Sequence, residues 1–316
     1  MSSNYIFKGR VVENVLVEIG PRDNQRYTYE WSNDTYFVSL ISDIGLKRAN
    51  NEDRCILSVP NNEELYKTKG ILIAVADGMG GAVAGEHASE LAVRTLWETY
   101  YNSTCENIPD ALLKAVQKSN SAIYTLSDSN PNYYGMGSTL SSVVILEDTA
   151  YIAQVGDSRV YIHRSNKKIH QITNDHSVVA EQLREGLISK EEAKNHHMKN
   201  VITRALGVRE SIEVDLFSLY LQKDDTILLC TDGLSNMVED TMIQLLLDSD
   251  NLSLALNSLV EKAIEEGGID NITACAIRIK ENPSHYELQK SSQLKHIDPY
   301  PPQSLITKII NFFKKQ

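Results

Sequence analysis

The sequence predicts an α+β fold in which antiparallel β-sheet is packed by α-helices. Helical and strand-like segments come in blocks along the chain, which argues against a series of alternating βαβ units. Two short apolar runs, ILIAVA at 71–76 and TILLC at 226–230, have the length and composition of strands buried on both faces. Together these observations predict sheets that are covered by other elements.

The first half of the chain is predicted to hold two strands followed by two helices. The segment 36–44 is β-rich and alternates loosely, and the buried run at 71–76 comes next. Apolar residues then recur at helical spacing over 84–101 and again over 109–127. We expect these two helices to pack antiparallel.

In the second half of the chain the spacing of apolar residues changes from helical to strand-like. Residues 139–172 read as three or four strands joined by tight polar turns, which is typical of a β-meander. Residues 176–200 carry charged helical patterning and are predicted to form an exposed insert. The elements predicted after this insert are a strand, two helices and a last strand, at 226–230, 239–248, 251–265 and 271–279.

Changes in composition mark the expected domain limits. The main domain is predicted at 35–281, after an N-terminal extension at 1–34 that is either an added strand or two or a loose arm. A polar linker follows at 282–303, and 304–316 is predicted to be a short amphipathic helix. This helix could lie on a membrane, dock on the main domain or bind a partner, and three lysines are weak support for membrane contact.

Composition and charge exclude several classes of protein. The chain has 316 residues and a formal net charge of −11, which disfavours binding to the phosphate backbone of a nucleic acid. No apolar run approaches the roughly 18 residues that a transmembrane helix needs. The N-terminus lacks the layout of a secretory signal, so we expect a cytoplasmic protein. We also expect a monomer.

The four cysteines do not predict a metal or redox site. Cys55, Cys105, Cys230 and Cys275 form no CxxC pair. Three of them, all except Cys105, lie in apolar strand-like runs, so we expect them to be small core residues.

Acidic residues stand at the ends of the predicted strands. Asp77 follows the run at 71–76, Asp232 follows the run at 226–230, and Asp270 opens the last strand. A buried carboxylate without a partner is costly, and a divalent cation such as Mg²⁺ or Mn²⁺ is one partner that prefers oxygen ligands. The full set of candidates is Glu52, Asp53, Asp77, Asp157, Asp232 and Asp270.

Two other interpretations apply to parts of these motifs. Any single Asp-Gly pair is explained by an ordinary turn, but the set as a whole favours a metal cluster. The segment DGMGGAVAG at 77–85 could be a dinucleotide-binding loop, yet the third glycine of that pattern would fall at Val83, and Asp77 would face the pyrophosphate. We therefore favour two metals that lower the pKa of a shared water.

One basic side chain, and no histidine motif, accompanies the acidic residues. Arg48, four residues before Glu52, could bind a phosphate through its guanidinium group or form a surface ion pair. The eight histidines form no HExxH motif and no catalytic triad order. His87 follows DGMGG and could reach the site, although a structural role is favoured.

Taken in order, these segments resemble the metal-dependent protein phosphatases, the type 2C serine/threonine phosphatases, in their bacterial form. The resemblance covers about three quarters of the chain, from Ser39 to Lys280. It is carried by eight motifs in family order: SDIGLKRANNEDR, VADGMGG, MGSTLSSVVI, AQVGDSRVYIHR, QITNDHS, VITRALG, LLCTDGLSN and DNITACAI. The implied fold is a four-layer α-β-β-α sandwich of two antiparallel sheets, each flanked by a pair of helices.

The resemblance implies a site with two divalent cations, Mn²⁺ or Mg²⁺. Asp77 is expected to bridge them, and the carbonyl group of Gly78 to bind one. Asp232 and Asp270 are expected to hold the other cation, while Glu52 acts through bound water.

The same resemblance assigns roles around that centre. Asp53 is expected to support it through water, and Asp157 to join Asp232 at a weaker third metal. Arg48 is expected to hold the substrate phosphate and Asn271 to orient Asp270. The stretch after the DHS motif at 175–177 resembles the mobile flap of the family.

The implied reaction is hydrolysis of phosphoserine or phosphothreonine by in-line attack of a metal-bridging hydroxide, with Arg48, Asp77 and Asp232 as catalytic residues. The expected partners are phosphorylated proteins, a serine/threonine kinase that the enzyme opposes, and no nucleic acid. Animal members carry a histidine as general acid where this chain has Met79, which cannot donate a proton. Two alternatives stay open, a non-catalytic phosphoprotein-binding module and a metallohydrolase of small phosphoesters.

Overall fold

The computed structural model describes residues 14–300 except Asn195 and Tyr286. The amphipathic helix predicted at 304–316 lies outside this range, as do the first 13 residues of the predicted N-terminal extension.

The described chain forms fourteen strands and eight α-helices. The strands are β1 Val15–Gly20, β2 Tyr27–Ser32, β3 Tyr36–Asp43, β4 Asp53–Pro60, β5 Ile71–Met79, β6 Gly137–Ser138, β7 Leu140–Leu146, β8 Thr149–Val155, β9 Arg159–His163, β10 His170–Gln171, β11 Asp215–Tyr220, β12 Thr226–Cys230, β13 Ile272–Ile279 and β14 Leu294–His296. The helices are α1 Glu63–Lys69, α2 Ala82–Tyr101, α3 Ile108–Ser129, α4 Val178–Arg184, α5 Lys190–Lys194, α6 Asp232–Ser235, α7 Asp240–Leu247 and α8 Leu252–Glu265. A short 3₁₀ helix spans Pro131–Tyr133.

The strands form two sheets. The first has the order β1-β4-β5-β7-β8-β11-β14, with β6 paired to β5, and the second has the order β10-β9-β12-β13-β3-β2. Every described pair is antiparallel except β11 with β14, which is parallel. The predicted antiparallel sheets are therefore confirmed with one exception. A parallel neighbour needs a long connection, and β14 comes from the segment predicted as a linker, far along the chain from β11.

Three apolar cores separate four layers. Leu96 of α2 and Leu112 of α3 are buried against the outer face of the first sheet. Leu40 of β3 and Ile73 of β5 are buried between the two sheets. Helices α7 and α8 cover the second sheet with a third core that includes Leu256. The predicted α-β-β-α sandwich is confirmed.

Local sequence explains where the outer helices begin. Asn107 caps α3, because its side-chain oxygen accepts a hydrogen bond from the backbone N–H of Asp110 at 2.8 Å. Asn251 caps α8 in the same way, with the N–H of Leu254 at 3.0 Å. The two long helices of the first pair were predicted at 84–101 and 109–127 and lie within two residues of those limits.

Segments on both sides of the range 35–281 add strands to the sandwich. In the N-terminal segment β1 pairs with β4, and β2 pairs with β3. In the segment predicted as a linker, β14 pairs with β11. The predicted domain limits stay a prediction, and the structure shows that neighbouring residues on both sides pack onto the two sheets.

The predicted insert leaves the sandwich between β10 and β11. It holds the short helices α4 and α5, and backbone hydrogen bonds close its base, from Val178 N–H to the Val201 carbonyl at 3.0 Å and from Thr203 N–H to the His176 carbonyl at 2.8 Å. Within residues 14–300, no helix is long and apolar enough to span a bilayer. Cys55, Cys230 and Cys275 are fully buried free thiols, as predicted.

Candidate active site

The acidic residues come together at one end of the sandwich, where strand ends of both sheets meet. In the first sheet Asp53 opens β4 directly opposite Asp77 near the end of β5. In the second sheet Asp232 follows β12, and Asp270 precedes β13, the neighbour of β12. A hydrogen bond joins the two sheets here, since the Thr231 hydroxyl after β12 donates to Asp53 Oδ2 at the start of β4 at 2.8 Å.

Asp77 and Asp232 face each other at the centre. Burial raises the pKa of Asp77 well above its usual range, and the nearby carboxylates of Asp53, Asp232 and Asp157 raise it further. Burial and the charge of Asp270 raise the pKa of Asp232 to about 6, while a hydrogen bond with Asp77 lowers it.

Three carboxylate oxygens in this cluster are buried without a hydrogen-bond donor among the described residues. They are Oδ1 of Asp53, Oδ1 of Asp157 and Oδ1 of Asp232. Burial is the first cause that raises the pKa of both Asp53 and Asp157 to about 7, and the charge of Asp232 adds to each shift. A buried anionic oxygen without a donor is costly, so this arrangement suits a bound cation or proton.

Glu52 is fixed through its backbone. Its N–H donates to Asn271 Oδ1 at 2.8 Å, and its carbonyl accepts from the Ser89 hydroxyl at 2.5 Å and from Gly78 N–H at 3.2 Å. Burial raises the pKa of its carboxyl group. A Cβ at Gly85 would lie 2.0 Å from Glu52 Oε2, so only glycine lets α2 approach this carboxylate so closely.

Arg48 lies at the rim of the cluster. Its guanidinium donates to Asp270 Oδ2 at 2.8 Å, and 47% of the side chain stays exposed. The Asp270 Oδ1 atom accepts from the backbone N–H of Asn271 at 2.8 Å. The Asn271 amide group instead donates to the carbonyls of Ile44 and Asn50 at 2.9 and 3.0 Å, and so holds the loop that carries Arg48.

Asp157 lies in the turn between β8 and β9 and is 8% exposed. His176, in the DHS motif, holds this turn: its ring Nδ1 accepts from the Gly156 N–H at 3.1 Å, and its backbone N–H donates to the Gly156 carbonyl at 3.0 Å. Arg159 makes a bidentate pair with Asp175 nearby, at 2.7–3.0 Å. The turn and the base of the insert are therefore one hydrogen-bonded unit.

Met79 occupies the position at which animal members of the family resembled carry a histidine as general acid. Met79 ends β5 and pairs with Gly137. The imidazole of His87 stacks on the ring of Tyr133 with a centroid distance of 4.8 Å.

Sequence reasoning missed the neutral residues that position the acidic ones. The Thr139 hydroxyl accepts from the backbone N–H of Asp77 at 2.9 Å and lies 2.8 Å from the Ser158 hydroxyl. Thr231 bonds Asp53, as described, and His176 holds the turn of Asp157. All three are inside the quoted motifs, but no local pattern shows which carboxyl an uncharged side chain will contact.

The described residues hold no three His, Cys, Asp or Glu side chains that already converge as a preformed metal site. Two of the carboxyls bond to protein groups instead, Asp270 to Arg48 and Asp53 to the Thr231 hydroxyl. The cluster has the oxygen ligands that Mg²⁺ and Mn²⁺ prefer and an excess of buried negative charge.

Comparison with known proteins agrees with this geometry. The family model described as Protein phosphatase 2C matches residues 48–255. Serine/threonine phosphatase stp of Listeria monocytogenes is 43% identical over 243 residues, 75% of this chain and 93% of that protein.

Solved structures show the same fold. The serine/threonine phosphatase PstP/Ppp of Mycobacterium tuberculosis superposes with a TM-score of 0.69 at 33% identity, over 78% of this chain and 100% of that one. The catalytic domain of the phosphatase PstP in complex with two manganese ions gives a TM-score of 0.68, also at 33% identity, over 78% and 99% of the two chains. The eight motifs, the four layers and the acidic end of the sandwich have one explanation: this chain belongs to the protein phosphatase 2C family of serine/threonine phosphatases.

Proposed function

We propose that this chain hydrolyses phosphoserine and phosphothreonine in proteins with the help of two divalent cations, Mn²⁺ or Mg²⁺. The observation that carries the proposal is the set of three buried carboxylate oxygens without donors, which both sheets contribute beside an exposed arginine. Such a cluster attracts cations, and the arginine supplies an anion-binding group next to it.

The residues present fit these cations. Asp77, Asp232, Asp270 and Glu52, with the Gly78 carbonyl, would hold two of them. Asp157 would contribute with Asp232 to a weaker third site. Divalent cations in such a centre lower the pKa of water and offset charge on the phosphoryl oxygens.

The protein's own groups prepare the site. To bind cations, the carboxyls of Asp77 and Asp232 must give up the protons that burial favours. Asp53 and Asn271 act as supports, since Asp53 is tied to Thr231 and Asn271 to the Arg48 loop. The Thr231 hydroxyl thus holds the Asp53 side chain, and the Asn271 amide holds the Arg48 loop and the Glu52 backbone, without adding charge.

Arg48 would bind the substrate phosphate. Its guanidinium has five N–H donors, of which the contact with Asp270 uses one. A phosphate monoester can accept two parallel hydrogen bonds from such a group, which orients the phosphorus atom over the cluster. Because the Met79 side chain has no acidic proton to donate, the leaving oxygen must be protonated by another group.

We also propose the biological setting in which this activity operates. The enzyme would act as a cytoplasmic monomer on proteins phosphorylated by a serine/threonine kinase, without membrane contact through residues 304–316. The negative net charge supports a protein that does not bind nucleic acid. The range 35–281 would carry the catalytic residues.

The test is phosphate release by the full chain from a phosphothreonine peptide, a nucleotide and a sugar phosphate, each with Mn²⁺, Mg²⁺ or EDTA. We expect release from the peptide with either metal, none with EDTA, and much slower release from the small esters. Faster turnover of the small esters would indicate a small-molecule phosphohydrolase. Binding of the phosphopeptide without any release would indicate a phosphoprotein-binding module.

A further inference from the structure

Two aliphatic side chains lie exposed beside the acidic cluster. Leu46 is 63% exposed and Ile269 is 48% exposed. They belong to different loops that touch: the Leu46 N–H donates to the Gly268 carbonyl at 2.7 Å, and a Cβ built on Gly268 would lie 3.0 Å from Leu46 Cγ. We call the surface formed by Leu46 and Ile269 the apolar shelf.

The backbone beneath the shelf is held firmly. Gly45 has a φ of +77°, and a Cβ there would lie 2.2 Å from the Asp270 carbonyl oxygen, so the two loops approach as closely as backbone allows. The Asn271 amide ties the same loop at the Ile44 and Asn50 carbonyls. The backbone positions from which the two side chains project are therefore fixed before a ligand binds, which lowers the entropy lost by these loops on binding.

The shelf adjoins the group that would bind phosphate. Arg48 is two residues from Leu46, and its partner Asp270 is next to Ile269. In an extended peptide each residue advances about 3.3 Å, so side chains within two positions of a phosphorylated residue lie within about 7 Å of it. Only Lys47 separates Leu46 from Arg48, and Ile269 directly precedes Asp270, so the shelf lies within reach of such side chains.

We propose that the apolar shelf binds an apolar side chain within two positions of the phosphorylated residue, and so selects among phosphoprotein substrates. This inference rests on the proposed function. Burial of the substrate side chain against Leu46 and Ile269 removes apolar surface of both molecules from water, which favours the complex. A substrate with polar residues at these positions would leave the shelf in contact with water.

The test uses the full chain and phosphothreonine peptides that differ at one position. Leucine or serine is placed at each of the two positions on either side of the phosphothreonine, and kcat/KM is measured. The readout is the ratio of kcat/KM for the best leucine peptide to that for its serine counterpart, so any general change in activity cancels. Wild type is expected to prefer leucine by about five- to tenfold at one position.

Three variants complete the design. Leu46→Ser with Ile269→Ser is expected to bring the ratio close to one, and Leu46→Met to retain most of the preference. Leu245→Ser with Leu254→Ser is the matched control, since these leucines of α7 and α8 are 63% and 59% exposed outside the shelf. That control is expected to keep the wild-type ratio.

The outcomes separate the two proposals. If wild type hydrolyses no phosphopeptide, the proposed function is overturned, and the proposed selectivity is overturned with it. If peptides are hydrolysed but the wild-type ratio is near one, or the Leu46 and Ile269 variant keeps the preference, only the shelf proposal is overturned. A ratio near one that rises when residues 301–316 are removed would assign the shelf to the chain's own C-terminal segment, which also overturns it.

Discussion

Asp215 links a strand of the first sheet to the turn that carries Asp157. Its Oδ2 lies 3.3 Å from His176 Nε2, and its Oδ1 accepts from Arg204 at 2.9 Å. Since Nδ1 of His176 accepts from Gly156, Nε2 carries the proton and donates to the carboxylate. The hydrogen bond from His176, opposed by burial and assisted by Arg204, lowers the pKa of Asp215 to about 2.

We predict that Asp215→Asn lowers the free energy of unfolding near pH 7 by about 2 kcal/mol. A carboxyl whose pKa is lower in the folded state stabilises the protein above its unfolded pKa of about 3.9, and this stabilisation is lost as pH falls toward 2. Urea unfolding of wild type and variant at pH 7 and near pH 2.5 measures the difference. The exposed Asp34→Asn is the control, and an Asp215 effect of equal size at both pH values would contradict this prediction.

At the scale of elements, the segment 282–300 crosses the sandwich and ties its layers together. Leu288 and Leu294 pack against the core under α2 and α3, and Ile297 and Tyr300 against the core between the sheets. The Tyr300 hydroxyl lies 3.1 and 3.0 Å from the carbonyls of Ile162 and Lys168 and can donate to either. The segment predicted as a polar linker is therefore a structural strap.

We predict a graded loss of stability at Tyr300. Tyr300→Phe removes a hydrogen bond and is expected to cost about 1 kcal/mol of unfolding free energy. Tyr300→Ala also removes the ring that packs on the core and under Arg164, at 4.8 Å, and is expected to cost about 2 kcal/mol. Chemical denaturation measures both losses of unfolding free energy. Tyr134→Ala is the control, because the Tyr134 side chain is 81% exposed. Equal stability of all four proteins would show that the strap contributes nothing.

Two strands show which elements could not be predicted from sequence. Strand β4 is buried at every position, so it lacks the alternation that marks a half-exposed strand. It also contains Arg54, which reads as a surface residue because its partners, Glu86 and Glu90, lie on α2. Strand β14 has three residues in a polar segment, and only its pairing with β11 makes it a strand. The long helices and buried runs were predicted because their patterns are local.

At the scale of the whole molecule, the acidic cluster joins the two sheets at a cost. The pKa values of Asp53 and Asp157 are raised to about 7 by burial and neighbouring charge. Since an unfolded aspartate titrates near 3.9, these two carboxyls bind more protons in the metal-free folded protein than in the unfolded chain between about pH 4 and 7. The contribution of these two carboxyls to stability therefore falls as pH rises through this window, unless cations take the place of the protons.

We predict that Mn²⁺ raises the melting temperature more at pH 8 than at pH 5.5. Protons compete with the cation for the same carboxylates at the lower pH, and a ligand stabilises the folded state in proportion to its binding free energy. Thermal unfolding with saturating Mn²⁺ or with EDTA at the two pH values provides the measurement. An equal or larger shift at pH 5.5 would indicate that the cation binds elsewhere.

The positions of the site were predictable from sequence to a large extent, but its contacts were not. Strand-end aspartates can be found from the apolar runs beside them, and the family motifs supply the rest. The contacts of Asn271 with the Arg48 loop join residues more than 200 positions apart, so no local pattern contains them. The same holds for the hydroxyl of Thr231 on Asp53, which depends on how the two sheets face each other.

Phosphate release from a phosphothreonine peptide by wild type, Asp232→Asn and Asp240→Asn, each with Mn²⁺ and with EDTA, tests the central claim most directly. Asp240 is the matched control because it lies eight residues further along the chain and bonds the Tyr161 hydroxyl outside the cluster. We expect metal-dependent release by wild type and Asp240→Asn, and a loss of more than about a hundredfold for Asp232→Asn. Release by Asp232→Asn at the wild-type rate, or release that EDTA does not affect, would contradict a metal-dependent phosphatase built on this cluster.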